Sequence, residues 1–137
     1  MKRSYDAERY EPPAPVLDVL LSSPESGANA RIAEVALVDT GADFSVIRCG
    51  IVRQLALPLR GQTPFSGVDG RLEKAFTWAV RIETAVGAWN IDMLEIGWVT
   101  ILGRDILNQL ELRLDGPNNV LEVRSPRTRD RKAPRTT

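Results

Sequence analysis

Apolar residues alternate with polar ones along most of this chain, and helical spacing occurs only in short stretches. Val16 to Leu21 is a short apolar run, and Ser22 to Asn29, with Pro24 and Gly27, reads as a loop. Arg31 to Asp39 alternates loosely and ends apolar, as a strand entering a core does, and Ser45 to Ile47 continue extended. Ile51, Val52 and Leu55 fall on one side of a short helix over Arg48 to Ala56, which Pro58 stops. Gln62 to Phe65 and Arg71 to Phe76 flank Ser66-Gly67-Val68-Asp69-Gly70, and Asp-Gly between two extended runs is a hairpin signal. Phe76, Trp78, Val80 and Ile82 alternate, predicting one buried face; Trp89, Ile91 and Met93 alternate back after a turn at Thr84 to Gly87. Val99 to Leu102 is another apolar strand, and Gly103 to Leu110 fits a second short helix with Ile106, Leu107 and Leu110 inward. Leu112 to Leu114 and Val120 to Val123 enclose Asp115-Gly116-Pro117-Asn118-Asn119, a further hairpin. Many short strands, long-range pairing and one or two short helices predict a mainly β fold, closed and barrel-like.

The two ends break this pattern. Residues 1–15 are charged and finish in Glu11-Pro12-Pro13-Ala14-Pro15, so a flexible or extended arm is expected. Residues 124–137 carry six Lys or Arg against one acid and no large apolar residue, so a disordered basic tail is expected. The folded domain is then expected over 16–123. At 137 residues the chain has room for one core and is small for a self-contained two-lobed enzyme. Eighteen basic and eighteen acidic residues cancel, which leaves no general attraction to nucleic acid or to anionic membrane. No apolar run reaches the length of a membrane span, and the first residues lack the apolar stretch of a signal peptide. The single cysteine, Cys49, rules out an internal disulfide and suits a reducing compartment, so a cytoplasmic location is expected.

Histidine is absent, which excludes Ser-His and Cys-His nucleophilic catalysis and histidine-ligated zinc. A hydrolase of this composition must work with carboxylates, lysine or a hard metal ion. The candidate carboxylate is Asp39. Residues 37–43 read Leu37-Val38-Asp39-Thr40-Gly41-Ala42-Asp43, an apolar strand end running straight into a tight turn, with Phe44, Val46 and Ile47 beyond it. Activating a water between carboxylates takes two such acids, and the chain has a single Asp-Thr-Gly. If the motif is catalytic, the second acid comes from a second copy of the chain. Taken alone, Asp39 also fits a turn aspartate that caps its own backbone.

An apolar strand, Asp-Thr-Gly-Ala and then, near the C-terminal end, Ile101-Leu102-Gly103-Arg104-Asp105-Ile106-Leu107 together resemble the retropepsins, the single-domain retroviral-type aspartic peptidases. The resemblance covers roughly Val16 to Val123. The further hairpin after the second helix is similar to the cellular and bacterial branch, whereas retroviral members commonly dimerise through interleaved terminal strands. The resemblance implies a homodimer acting on a peptide or protein substrate without metal or organic cofactor. It implies that Asp39 of each copy is catalytic, that Thr40 hydroxyls cross the dimer axis, and that Gly41 lets backbone approach the acids. Residues 65–71 would form a flap over bound peptide, with Gly67, Val68, Asp69 and Gly70 at its tip. Phe44, Ile47, Val99 and Ile101 would line side-chain pockets, giving a preference for apolar residues around the cleaved bond. Gly103 and Arg104 would support the turn, Arg104 through an ion pair with Asp43. Were that pair buried, breaking it singly would cost roughly 3–5 kcal/mol. Trp98 would rim the cleft or lie in the dimer contact; Trp78 and Trp89 are expected in the core, and Cys49 has no assigned role.

Two rivals stand beside this reading. One is a non-catalytic dimerisation or peptide-binding module that keeps the fold. The other is a metal-dependent hydrolase using Asp39 and Asp43, for which the sequence offers no further converging carboxylates.

Overall fold

The computed structural model describes residues 1–126; the greater part of the expected basic tail, from 127 on, lies outside the described residues. The chain runs β1 (Lys2–Ser4), β2 (Val16–Ser22), β3 (Arg31–Val38), β4 (Val46–Ile47), α1 (Ile51–Leu55), β5 (Leu59–Ser66) and β6 (Leu72–Thr84). It continues through β7 (Gly87–Glu95), β8 (Ile101–Leu102), α2 (Arg104–Leu107), β9 (Glu111–Asp115) and β10 (Val120–Arg124). Among the described residues no helix is long and apolar enough to cross a membrane.

Strands β2, β3, β8, β4, β7 and β6 lie side by side in that order, and β2 also pairs with β6, which closes them into a barrel. The seam is short: Leu20, Leu21 and Ser22 stand opposite Glu83, Ile82 and Arg81. Alternation drives closure. Val16, Leu17, Val19 and Leu21 of β2 are buried while Asp18 and Leu20 face out. Leu17, Val19 and Leu21 meet Ile47, Ile82, Met93 and Leu102 in one core, which α1 and α2 cover with Ile51 and Ile106. Trp78 and Trp89 pack against this core from its edge.

Strand β5 lies outside the barrel and pairs only with β6, so the β5–β6 hairpin projects from the wall. The expected face of β6 is corrected here. Val80 and Ile82 are buried, but further up the strand the buried residues are Ala75 and Thr77, and Phe76 is 48% exposed. Alongside, β5 carries an extra residue between Leu59 and Gly61. β6 pairs with β7 without a break from Thr77 to Thr84, so its side chains keep alternating; Thr77 and Val80 lie on opposite faces, and the buried face changes where the strand leaves the barrel. Phe76 rests at a tilt on Trp78, ring centroids 6.3 Å apart.

The N-terminal segment is extended and tied down at its start. β1 pairs with β10, which pairs with β9, making a three-stranded sheet from the two ends of one chain. Leu121 and Val123 of β10 are fully buried and join the barrel core. The sequence pattern predicts no strand in 1–15, because the three residues of β1 are polar and show no alternation of hydrophobicity.

Candidate active site

Strand β3 runs parallel to β8, Val38 opposite Leu102, and Asp39 follows at once. The Asp39 amide donates to the Leu102 carbonyl at 3.1 Å, so the ladder fixes the start of the turn. Asp39 Oδ1 accepts the Gly41 amide at 2.9 Å, and the Asp39 carbonyl accepts the Ala42 amide at 3.2 Å. A methyl group at position 41 would stand 3.1 Å from Asp39 Oδ1, so the carboxylate would have to give by a few tenths of an ångström. Asp39 is half-buried while Thr40 and Gly41 are exposed. The backbone-capping geometry expected of a turn aspartate is therefore present, and it leaves Oδ2 without a hydrogen bond among the described residues.

Helix α2 grips this turn from below. The Arg104 amide donates to the Ala42 carbonyl at 2.9 Å, and Arg104 Nη1 donates to the Thr40 carbonyl at 2.8 Å. Nη2 of the same side chain hydrogen-bonds Asp43. The guanidinium thus divides itself between a carbonyl and a carboxylate. The pair is also not buried as expected, since the side chains are 42% and 69% exposed. Solvent at that level of exposure screens the attraction, and such a pair contributes only about 0–1 kcal/mol. Gly103 has a steric reason: a Cβ there would meet the Phe44 carbonyl group at 2.6 Å and the Ala42 oxygen at 2.9 Å.

The strongest tie is one that sequence reasoning missed. Asp105 Oδ1 accepts the Ser45 hydroxyl at 2.6 Å and Oδ2 accepts the Ser45 amide at 2.9 Å. The Gly103 amide donates to the Ser45 hydroxyl oxygen at 3.0 Å, and Ser45 is fully buried. This knot stitches the chain after the turn to the start of α2. The available signal was an acid in the Gly-Arg-Asp element together with a serine at the buried phase of β4.

Behind β8 a second clamp holds the other flank. Glu34 accepts from Arg48 Nε and Nη2 and from the hydroxyl of Thr100, which is 1% exposed. The hydrogen bond to Glu34 raises the Arg48 pKa above its ordinary value.

A groove of about 380 Å³ opens beside the turn. Gly41, Ala42, Asp43, Phe44 and Val46 form one wall, Pro64, Phe65 and Ser66 of the hairpin form the other, and Leu94 and Ile96 lie between. Phe44, 51% exposed, stands in it. Ile47 does not: it is fully buried in the core, because the period of two that opens Phe44 and Val46 to the groove turns Ser45 and Ile47 inward. Val99 and Ile101 are not part of this wall; Val99 borders a separate hollow of about 300 Å³ with Trp98, Arg48 and Glu34. Trp98 itself is 84% exposed. A larger hollow, about 520 Å³, lies on the outer face of β2, β3 and β6. Asp18, Glu34 and Glu83 there are held by Arg3, Arg48, Arg31 and Arg81, so among the described residues that hollow offers no free acid for chemistry.

At the hairpin tip Gly67, Val68, Asp69 and Gly70 are all exposed. Asp69 Oδ1 accepts the Arg71 amide at 3.1 Å and the Gly70 amide donates to the Gly67 carbonyl at 3.0 Å, so Asp69 shapes the turn. Gly70 has φ of 76°, a left-handed conformation that suits glycine. Among the described residues no group of three or more His, Cys, Asp or Glu side chains converges.

A closed six-strand barrel with a projecting hairpin, a glycine-backed Asp-Thr-Gly turn and a short helix locked beneath it define the retropepsin fold. The chain belongs to the retroviral aspartyl protease family, whose model matches residues 14–115. Among solved structures it is similar to the EIAV protease complexed with the inhibitor HBY-793, at 30% identity over 77% of this chain and 92% of that one, with a TM-score of 0.55. No curated protein sequence matches the chain.

Proposed function

We propose that two copies of this chain form an aspartic endopeptidase, each giving Asp39 to one shared site. The observation that carries the reading is the turn: Asp39, braced by backbone on one oxygen, starts a turn whose Gly41 and Ala42 border a groove walled on its other side by the hairpin. Two carboxylates brought together cannot both ionise, so the pair holds one proton between them and titrates as a unit. The ionised Asp39 removes a proton from a bound water while the protonated one hydrogen-bonds the scissile carbonyl oxygen. The water oxygen attacks the carbonyl carbon and a tetrahedral intermediate forms without a bond to the enzyme. The proton taken from water passes to the amide nitrogen, the C–N bond breaks, and a carboxylic acid and an amine leave. In this reading Thr40, exposed beside the acid, holds the opposite turn across the dimer axis. The β5–β6 hairpin serves as the flap.

Phe44, Val46, Phe65, Leu94 and Ile96 favour apolar side chains on either side of the cleaved bond. The added hairpin β9–β10 supports a place among the cellular and bacterial members, and the lone, exposed Cys49 suits a cytoplasmic location.

The test is cleavage of a mixed peptide library, from acid to neutral pH, read by mass spectrometry. Wild type is expected to cut between apolar residues, and Asp39→Asn to lose roughly 10²–10⁴-fold or more of that activity while still dimerising. Wild-type-level cleavage by the variant would sink the mechanism. No cleavage by either protein, with a folded dimer in hand, would favour a peptide-binding module.

A further inference from the structure

No step of peptide hydrolysis uses the hollow of about 520 Å³ on the outer face of β2, β3 and β6. Its floor is apolar where a solvated sheet face would be polar. Leu20 of β2 stands opposite Ala33 of β3, and Val35 stands opposite Asp18. Leu20 is 39% exposed, Ala33 is exposed and Val35 is half-buried. Ala33 and Val35 also border the hollow that holds Trp98 and Val99, so the two hollows adjoin along β3.

The charges around this floor are spent within the chain. Asp18 is held by Arg3, Glu34 by Arg48, and Glu83 by Arg31 and Arg81. What is left uncovered is apolar area, so an apolar partner fits it and a charged one does not. The chain's own residues 127–137 are unsuited to it, since they hold no large apolar side chain and five of them are basic.

The same face runs on to the groove beside Asp39. Residues paired across neighbouring strands share one face of a sheet. Leu94, in the groove, pairs with Val46, Val46 pairs with Ile101, and Ile101 pairs with Leu37. Leu37, Val35 and Ala33 then alternate along β3 and carry that face back to the hollow. From Asp39 to Ala33 the strand covers about 20 Å, the reach of about six extended residues of a bound chain.

We infer that this outer face is an exosite, a docking strip for an extended apolar segment of the protein substrate, beyond the residues that fill the groove. The inference rests on the peptidase reading above and adds a second determinant of which proteins are cut. Contacts made so far from the cleaved bond are equal in the ground and transition states. They lower KM and leave kcat unchanged.

The test compares substrates that share one cleaved sequence from the peptide library. One is short, one is prolonged at both ends with alternating leucine and serine, and one is prolonged with serine and glycine alone. The leucine-bearing form is expected to have a KM about tenfold lower or better at unchanged kcat, and the serine-glycine form to gain nothing. Leu20→Glu and Ala33→Glu, both at exposed positions, are expected to abolish that gain while kcat/KM for the short peptide stays at the wild-type value. A fluorescein-labelled leucine-serine peptide without the cleaved sequence, titrated against the full Asp39→Asn chain by anisotropy, reads docking apart from chemistry. Binding that Leu20→Glu abolishes supports the strip even where no peptide is cut, and the peptidase reading then falls alone. Equal KM for all three substrates with no binding overturns the strip and leaves the peptidase reading standing. A Leu20→Glu chain whose dimer is weakened in sedimentation equilibrium would show that a second copy covers this face, and that outcome also overturns the exosite.

Discussion

Ser45 and Asp43 sit two residues apart and illustrate how little an ion pair reveals about where stability lies. Ser45 is buried and its hydroxyl joins the Gly103 amide to Asp105. Ser45→Ala strips that amide and the carboxylate of a partner in a place water does not reach, so a loss of about 2–3 kcal/mol is expected in urea unfolding. Asp43→Ala removes an exposed pair and is expected to cost about 0–1 kcal/mol. Equal losses from the two substitutions would contradict this ordering. The Asp39 turn was legible because its cause is local: an apolar strand end, an acid, and a glycine where a Cβ would crowd the carboxylate. The Ser45–Asp105 knot was not, because its halves are 60 residues apart and a serine in a buried phase looks like a break in the pattern. Reading Ser45 as inward would also have placed Ile47 in the core rather than in a pocket.

At the scale of elements, most strands and both helices declare themselves through alternation, helical spacing and turn residues. Two did not. β1 has only three polar residues and exists because β10 offers it an edge. β6 buries one face at Val80 and Ile82 and the other at Ala75 and Thr77, and the sequence of β6 alone holds no sign of the change. Helix α1 ends on Ala56, whose φ of 48° and ψ of 51° are left-handed. An alanine there pays about 1–2 kcal/mol in steric strain, part of which glycine returns through its freer unfolded chain. Ala56→Gly is accordingly expected to raise stability by about 0.5–1 kcal/mol, read as a higher urea midpoint at constant slope. A lower midpoint would mean that the cap geometry is not the strained one.

Over the whole molecule, a closed β domain was readable from the number and spacing of its strands, but the seam that closes it was not. Three residues of β2 meet three of β6 across the full breadth of the sequence between them, and nothing local marks them. The terminal sheet closes within the chain, so each subunit carries a finished core before it meets another. Under the proposed function, folding and activity therefore separate on dilution. Far below the dissociation constant the cleavage rate is expected to scale with the square of chain concentration, while circular dichroism stays constant. A rate that remains linear in a monomeric chain would refute the shared site. β6 has a last consequence. Its thirteen residues, about 40 Å when extended, are anchored at one end in the barrel seam and run out unbroken to the hairpin tip. The hairpin is thus a cantilever. Its stiffness is set at the root, where β7 stops pairing with β6 at Thr77 opposite Leu94, so substitutions at that junction would change how the tip bends.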